Sequence, residues 1–305
     1  MSNSTNTSRK NQSLTNEVES LLVPYVRAAF PALAIESFEE ERFIAHVLSS
    51  FPTRRVLTVS AAGVLKDLTQ GTIVEHGAAF PKAFERLAAM SDTLLLCFDW
   101  QHVARNAIAY RALKDLYPHL KANGCCIVFV APTWKLPAEL EHDLPVLQWA
   151  LPSRFELRAA LGVVAEATDE EVTPEIETAC LDAAAGLTLQ EAENAFALSV
   201  VDLGTLDARR VEAEKMRLVR QSGFLEVWPP VAPERLGGLG AVKAYFEKEV
   251  MPSRGDDELR VRGILTVGVP GTGKSLLAKV AGAIMGWPVL RLDIGALKGS
   301  LVGQS

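Results

Sequence analysis

Apolar runs of strand length alternate with helical patterns in the first half of the chain. Thr93–Phe98 and Cys125–Val130 are apolar at almost every position, which is typical of strands buried on both faces of a parallel sheet. Ala32–Glu36 and Arg55–Ser60 are predicted as two further strands. Ala104–Lys121 shows the spacing of a helix, with apolar positions at Ile108, Ala112, Leu113, Leu116 and Leu120. The alternation predicts an α/β fold, in which helices cover a mostly parallel sheet.

Helical patterns replace the strands after residue 152. The predicted helices are Phe155–Ala165, Pro174–Ala185, Leu189–Leu203 and Arg209–Gln221. Thr188 and Glu191 have the spacing of a capping box at the start of one of them, and Ser37 and Glu40 have it farther upstream. A helical subdomain is therefore expected to follow the α/β layer.

These patterns divide the chain into five predicted segments. Residues 1–20 are expected to be a disordered leader, since their Ser-, Asn- and Thr-rich start lacks the apolar stretch of a signal peptide. Residues 21–152 form the α/β module, and residues 153–226 form the helical subdomain. Three prolines within residues 227–233 predict a linker. Residues 234–305 begin a second module.

Composition narrows the possible partners and location. Apolar residues make up 49% of the chain and charged residues 22%, as in an ordinary globular protein. The formal net charge of −6 argues against a broad nucleic-acid-binding surface, which needs clustered basic side chains. No stretch approaches the roughly eighteen apolar residues of a membrane span, and no cysteine has the spacing of a zinc site. We expect a soluble, cytoplasmic protein that binds neither nucleic acid nor a membrane.

A phosphate-binding loop is the strongest chemical signal in the sequence. Ile264–Val267 is predicted as a strand, and the next residues fit the pattern G-x-x-x-x-G-K-[ST] at every required position. A helix with one apolar face is predicted to follow. The predicted nucleotide-binding residues are Gly268, Val269, Pro270, Gly271, Thr272, Gly273, Lys274, Ser275 and Leu276.

The residue types suit the chemistry of a bound nucleoside triphosphate. Glycines let successive backbone N–H groups turn toward phosphate oxygens, and the start of the following helix adds partial positive charge. Lys274 would contact the β- and γ-phosphates, and the Ser275 hydroxyl would ligate Mg²⁺. The cofactors predicted from this loop are ATP and Mg²⁺. A glycine-rich turn without a ligand is the alternative interpretation.

Several segments outside the loop resemble one family. Glu234–Gly240 resembles the "hydrophobic-Gly-Gly-Leu" segment that AAA proteins use near adenine, and Leu301–Ser305 resembles the stretch that follows the AAA pore loop. Pro288–Ile294 is predicted as the next strand and carries Asp293. With these segments, the chain resembles the Ycf-type AAA ATPases, found in plastids and bacteria. The resemblance implies a P-loop NTPase fold of the AAA type, and it adds Gly237 to the nucleotide-binding residues.

The resemblance also implies an N-terminal AAA-like module without a phosphate loop. Leu57–Leu68, where a loop would stand, has one glycine and no Gly-Lys-Ser sequence. Leu94–Asp99 imitates a Walker B strand, but Trp100 occupies the place of the catalytic Glu. Asp99 is therefore interpreted as a strand-end cap. We expect residues 21–222, expressed alone, to fold without binding ATP.

The family pattern leaves the catalytic residues unknown in this chain. The sequence stops at Ser305, before the Walker B Asp-Glu, the sensor residue, the arginine finger and the second lid of an AAA module. Leu301 stands where many AAA unfoldases have an aromatic pore residue. We expect a polypeptide that binds phosphates with little turnover, whether it is a fragment or a naturally short product.

Two functions from different classes fit these observations. The first is an AAA ATPase that hydrolyses ATP in the complete protein, as a homo-oligomeric ring in some states, to assemble or remodel an unknown protein partner. The second is a nucleotide-gated interaction protein that binds ATP with little hydrolysis. A P-loop kinase is less favoured, because its loop would lie near the start of its domain.

Overall fold

A computed structural model describes residues 21–168, 170–221, 225–255 and 261–292. These residues fall into two compact units. The first contains residues 21–172 and 185–197, and the second contains residues 173–184 and the described residues from 198 onward. The predicted leader lies outside the described residues.

Nine strands are present in the described residues. They are β1 (Ala32–Glu36), β2 (Arg55–Val59), β3 (Val64–Asp67), β4 (Thr72–His76), β5 (Thr93–Phe98), β6 (Cys126–Ala131), β7 (Val146–Gln148), β8 (Leu225–Trp228) and β9 (Val289–Leu292). The first seven form one sheet in the order β4-β3-β2-β5-β6-β1-β7. The β2–β3 and β3–β4 pairings are antiparallel. The other four pairings of the sheet are parallel.

Ten α-helices are present in the described residues. They are α1 (Val23–Arg27), α2 (Glu40–Ser50), α3 (Phe80–Ala88), α4 (Ala107–Ala122), α5 (Arg154–Thr168), α6 (Pro174–Ala184), α7 (Leu189–Leu203), α8 (Ala208–Gln221), α9 (Gly240–Tyr245) and α10 (Lys274–Met285). No helix in the described ranges combines the length and apolar character needed to cross a membrane.

Alternate residues of the large sheet face two separate cores. In β1, Ala32 and Ala34 pack with the apolar side chains of α3 and α4. Leu33 and Ile35 face the opposite core, with the apolar side chains of α1 and α2. Successive side chains of a strand point to opposite faces, so strands that are apolar at every position fit a sheet covered on both sides.

The predicted α/β fold is confirmed, and several predicted elements keep their bounds. β1, β5 and α7 begin and end where the sequence pattern places them. The predicted apolar face of α4 is wrong at Ile108, whose side chain is 78% exposed. Ile108 lies in the first turn, before the helix reaches the sheet, whereas Leu113 and Leu120 are fully buried.

The second unit has a small core of its own. Leu236, Phe246, Leu277 and Val280 belong to this core. β8 and β9 form an antiparallel pair, and the Trp228 ring lies between two cations. The Nζ atom of Lys279 is 4.4 Å from the ring centroid, and the Arg291 guanidinium is 5.5 Å away.

One predicted strand is absent from the described part of this unit. Ile264–Val267 has no assigned secondary structure and belongs to no sheet within the described residues, and Leu265 is 89% exposed. A segment becomes a strand only when a neighbour completes its backbone hydrogen bonds, and no described strand lies beside it. The predicted linker at 227–233 begins inside β8, whose residues pair with β9.

The predicted helical subdomain does not appear as a separate unit. α5 and the start of α7 belong to the first unit, whereas α6 and α8 belong to the second. The capping box of α7 is confirmed, because the Thr188 N–H donates to Glu191 Oε2 at 2.9 Å and the Glu191 N–H donates to Thr188 Oγ1 at 3.3 Å. The domain boundaries drawn from the sequence stay a prediction.

Gly282 permits a close approach between α10 and β9. A Cβ atom built at this position would lie 2.2 Å from Val289 Cγ2 and 3.0 Å from the Trp287 carbonyl oxygen. We expect Gly282→Ala to lower the free energy of unfolding by about 1–3 kcal/mol, because the helix must move away from the strand. Urea denaturation followed by circular dichroism measures the change.

Gly162 in α5 is the matched control. A Cβ atom there would have no neighbour within 4 Å, so Gly162→Ala should stabilise the chain by about 0.5–1 kcal/mol through helix propensity. Equal stabilities for Gly282→Ala and the unsubstituted chain would contradict the close packing at Gly282.

Candidate functional site

The loop predicted to bind phosphate connects Ile264–Val267 to α10. Gly271 and Gly273 both have φ of +85°, in the left-handed region, which glycine adopts without steric cost. A Cβ atom on Gly268 would come within 3.1 Å of Thr272 Oγ1. The Thr272 hydroxyl itself donates to the Val269 carbonyl at 2.9 Å. The glycines of the motif are therefore needed for this backbone path.

Lys274 closes the loop on itself. Its Nζ atom donates to the Gly268 carbonyl at 2.9 Å and to the Val269 carbonyl at 2.7 Å. Lys274 is also the first residue of α10, where the initial N–H groups have no partner within the helix. The ammonium group and the helix start thus face the same loop. An anion bound there could accept hydrogen bonds from Lys274 Nζ in place of the two carbonyl groups.

A cavity of about 600 Å³ lies beside the loop. Its lining includes Gly268 and residues 272–274 of the loop, together with the apolar side chains of Leu239, Val242 and Tyr245. Its volume falls in the range of small-molecule sites, which combine apolar walls with a few polar groups. Leu239 belongs to the segment Glu234–Gly240, which the resemblance places near adenine, whereas the sequence interpretation missed Val242 and Tyr245, since apolar residues in a short helix carry no motif.

The segment around Gly237 approaches the loop, although Gly237 does not line the cavity. Lys243 Nζ donates to the carbonyl groups of Pro233 at 2.6 Å and Leu236 at 2.7 Å, which fixes the segment. A Cβ atom on Gly273 would lie 3.9 Å from Leu236 Cδ1. The structure therefore places the neighbours of Gly237 next to the loop.

A metal site is not assembled by side chains in the described part of the chain. No group of three or more His, Cys, Asp or Glu residues there could hold a metal ion. Ser275, the predicted Mg²⁺ ligand, is exposed in the first turn of α10. Asp293 and Leu301 lie outside the described residues.

The phosphate-loop position of the first unit differs from the one predicted. Leu57–Leu68 is not a strand–loop–helix segment but forms the antiparallel hairpin of β2 and β3. β1 lies inside the sheet, between β6 and β7, and is followed after three residues by α2. A ligand in an open α/β sheet binds at the carboxyl ends of such strands. Ser37–Glu39 is therefore the structural counterpart of Gly268–Ser275.

An ionic network fills this counterpart position. The guanidinium of Arg42 contacts the Glu39 carboxylate, and its Nε donates to Glu156 Oε1 at 2.8 Å. Its Nη2 atom donates to the Ala150 carbonyl at 2.9 Å. The Arg42 and Glu39 side chains are only 7% and 8% exposed. Glu39 Oε1 also accepts from the Leu189 N–H at 2.6 Å, so the network joins α2, the start of α5 and the start of α7.

Carboxylates dominate the charge at this end of the sheet. Burial raises the pKa of Glu40, and the nearby Asp99 carboxylate raises it further. Asp99 has φ of +66°, and its Oδ2 accepts from the Ala61 N–H at 3.3 Å. A triphosphate at this position would meet negative charge without the lysine and glycines of a phosphate loop.

The fold defined by these features is that of AAA-type P-loop NTPases. Three family descriptions match the chain. Residues 18–149 match the N-terminal domain of SpoVK-like AAA ATPases, residues 156–222 match the second domain of the same family, and residues 264–305 match the ATPase family associated with various cellular activities. The chain belongs to the SpoVK-like AAA ATPases. This membership supports a nucleotide-binding, ATPase-type function.

Similar proteins confirm the resemblance seen in the sequence. An uncharacterized AAA domain-containing protein ycf46 of Trieres chinensis is 24% identical over 299 residues, which are 93% of this chain and 60% of the relative. The corresponding protein of Guillardia theta is 25% identical and covers 92% of this chain and 58% of the relative. The chain thus spans about 60% of the length of these relatives.

Two solved structures show a partial likeness to this chain. The FIGL-1 AAA domain in complex with ADP is 14% identical, with a TM-score of 0.45, and the match covers 77% of this chain and 87% of that domain. PCH-2 of C. elegans is 14% identical, with a TM-score of 0.42 and coverage of 67% and 68%. At these TM-scores the likeness adds nothing to the family assignment.

Arg42 should be essential to the stability of the first unit. We expect Arg42→Met to lower the free energy of unfolding by about 3–5 kcal/mol, because it leaves the Glu39 carboxylate buried without its cation. Arg105 is exposed, so Arg105→Met is the control and should change stability by less than about 0.5 kcal/mol. Urea denaturation compares the two, and equal effects would contradict the role of Arg42.

The pH dependence of stability tests the same network. Burial would raise the pKa of Glu156, but hydrogen bonds from Arg42 and Ser153 outweigh it and hold that pKa below its ordinary value of 4.5. The carboxylate therefore contributes stability above pH 4.5 that is lost as pH falls through the lowered folded-state pKa. This acid-sensitive part should shrink in Arg42→Met.

The expectation that residues 21–222 fold without binding ATP can be tested directly. The large sheet and both of its cores lie within this segment. Isothermal titration with Mg-ATP should give no saturable heat, because Ser37–Glu39 supplies no cluster of glycines and the site carries negative charge. Circular dichroism verifies folding, and micromolar saturable binding would contradict the prediction.

Proposed function

We propose that this chain binds ATP together with Mg²⁺ at the loop Gly268–Ser275. The observation that supports the proposal most is the geometry of Lys274, whose Nζ atom returns to two loop carbonyls at the start of α10. Two glycines in the left-handed region hold the loop open around it. A cation, a helix start and a glycine-rich backbone in one place are the elements that bind polyphosphates.

Each residue of the motif has a proposed role. The backbone N–H groups of the loop, from Gly268 through Leu276 except at Pro270, cradle the phosphate oxygens. Lys274 leaves the loop carbonyls and contacts the β- and γ-phosphates. The Ser275 hydroxyl, exposed in the first turn of the helix, ligates Mg²⁺.

The base of the nucleotide is proposed to occupy the apolar part of the cavity. Leu239, Val242 and Tyr245 line this part of the cavity, which the loop also lines. They can enclose an aromatic base by apolar contact and by stacking. The segment that contains Gly237 would lie beside the base, since Leu236 approaches Gly273.

For the complete protein we propose ATP hydrolysis coupled to the assembly or remodelling of a protein partner. This proposal rests on the membership of the chain in the SpoVK-like AAA ATPases. A homo-oligomeric ring and a cytoplasmic location are part of this proposal. The four cysteines, all buried and free, suit a reducing compartment.

A nucleotide-gated interaction protein is the second candidate, and one observation favours it. The Arg42 network lies at the phosphate-loop position of the first unit, so we expect that unit to bind and hydrolyse no nucleotide. Both candidates require ATP at Lys274 and differ in turnover. Lys274-dependent phosphate release by the complete protein favours the ATPase, and saturable binding without release favours the second candidate.

We expect Lys274→Ala to weaken ATP binding by about ten- to a hundredfold. Loss of a charge-assisted hydrogen bond of about 1.5–3 kcal/mol gives this factor. Titration of a fluorescent ATP analogue, with and without Mg²⁺, measures the affinities.

Lys279→Ala is the matched control for this experiment. Lys279 is a second lysine of α10, but its ammonium lies over the Trp228 ring and away from the loop. Its removal should leave ATP affinity unchanged. Equal affinities for Lys274→Ala and the unsubstituted chain would refute the proposed site.

A further inference from the structure

A concave surface lies beside the closed phosphate-loop position of the first unit. The start of α2 and the start of α7 form its sides, and its volume is about 910 Å³. We call this surface the α2–α7 groove. Two large apolar side chains that line it, Phe38 and Leu151, are 74% and 52% exposed. Apolar side chains exposed together in a concave surface are typical of an interaction site.

The same groove has a strongly acidic rim. Its lining includes five glutamates and a single basic residue, Arg42. That arginine is already bonded to Glu39 and Glu156. Within the described residues, Glu40, Glu41 and Glu193 have no basic side chain within salt-bridge distance. The groove therefore offers several carboxylates that a bound cation could neutralise.

Two carboxylates lie near each other at the start of α2. Glu40 lies beside Asp99, and both burial and this neighbour raise the pKa of Glu40. A basic group from outside would relieve the repulsion between the two carboxylates. Phosphate and nucleic-acid ligands are disfavoured by the same charge. The occupant must combine positive charge with apolar surface.

We infer that the α2–α7 groove binds a segment of a partner protein that presents lysine or arginine side chains next to large apolar ones. The apolar residues would cover Phe38 and Leu151, and the basic residues would pair with Glu41 and Glu193 at the rim. Complementary charge of this kind sets specificity and the association rate. The inference concerns the first unit and does not depend on ATP binding at Lys274.

A fluorescein-labelled peptide, Lys-Phe-Lys-Leu-Lys-Phe-Lys-Leu, is the probe. Fluorescence anisotropy with the 305-residue chain should show saturable binding that weakens as salt is raised. Two comparison peptides separate the contributions. One replaces the lysines with glutamates and the other replaces the apolar residues with serines, and both should bind at least about tenfold more weakly.

Substitutions locate the binding on the protein. Glu41→Lys and Glu193→Lys, each made as a single variant, should weaken binding by about fivefold or more, and Phe38→Ser should weaken it by about threefold or more. Glu85→Lys is the control for net charge, since Glu85 is exposed on α3 over the opposite face of the sheet. Circular dichroism melting verifies that each variant is folded.

The possible results are distinct. Binding lost in the groove variants but kept in Glu85→Lys and Lys274→Ala supports the inference. Binding that is reduced equally by Glu85→Lys, or that is insensitive to Phe38→Ser, shows non-specific attraction to an acidic protein and overturns it. Absence of saturable binding by the lysine peptide overturns it as well.

Discussion

The buried guanidinium of Arg42 is the interaction on which the first unit depends. It lies at the carboxyl end of β1, where an α/β sheet of this topology would hold a ligand. A buried charge must be paired and hydrogen-bonded, and here Glu39, Glu156 and the Ala150 carbonyl satisfy it. The loop that follows β1 thus carries a paired ionic network in place of the lysine and glycines of a phosphate loop. The start of α5 and the start of α7 are joined to the sheet through this network.

The cation at the phosphate loop of the second unit has a different set of partners. The Lys274 ammonium donates hydrogen bonds to neutral acceptors, the carbonyl groups of Gly268 and Val269. A phosphate is an anion, so it attracts the Lys274 ammonium more strongly than the dipole of a carbonyl group does. On the proposed function, a phosphate takes the place of these carbonyls, whereas Arg42 is already paired with two carboxylates. The cation at this position has buried carboxylate partners in the first unit and carbonyl partners, which a ligand can replace under the proposed function, in the second.

Much of the fold could be predicted because it depends on local pattern. Runs apolar at every position gave β5 and β6, and capping residues located the start of α7. The errors share one cause, which is that pairing partners are not encoded locally. The sequence pattern places the degenerate phosphate-loop position at Leu57–Leu68, but in the structure this segment forms the β2–β3 hairpin. Ile264–Val267 has the composition of a strand, yet no described strand lies beside it.

The sequence by itself determined the α/β class, the family and the phosphate-binding motif, because each depends on residue types at short, fixed spacings. Only the tertiary structure decided which strand of the first unit lies at the ligand-binding edge, since sheet order depends on pairings between distant residues. It also brought Arg42 to Glu156 over 114 positions of sequence. The α2–α7 groove likewise joins residues near 40 with residues near 190. No local pattern predicts such contacts, because they form only when the whole sheet and its helices pack together.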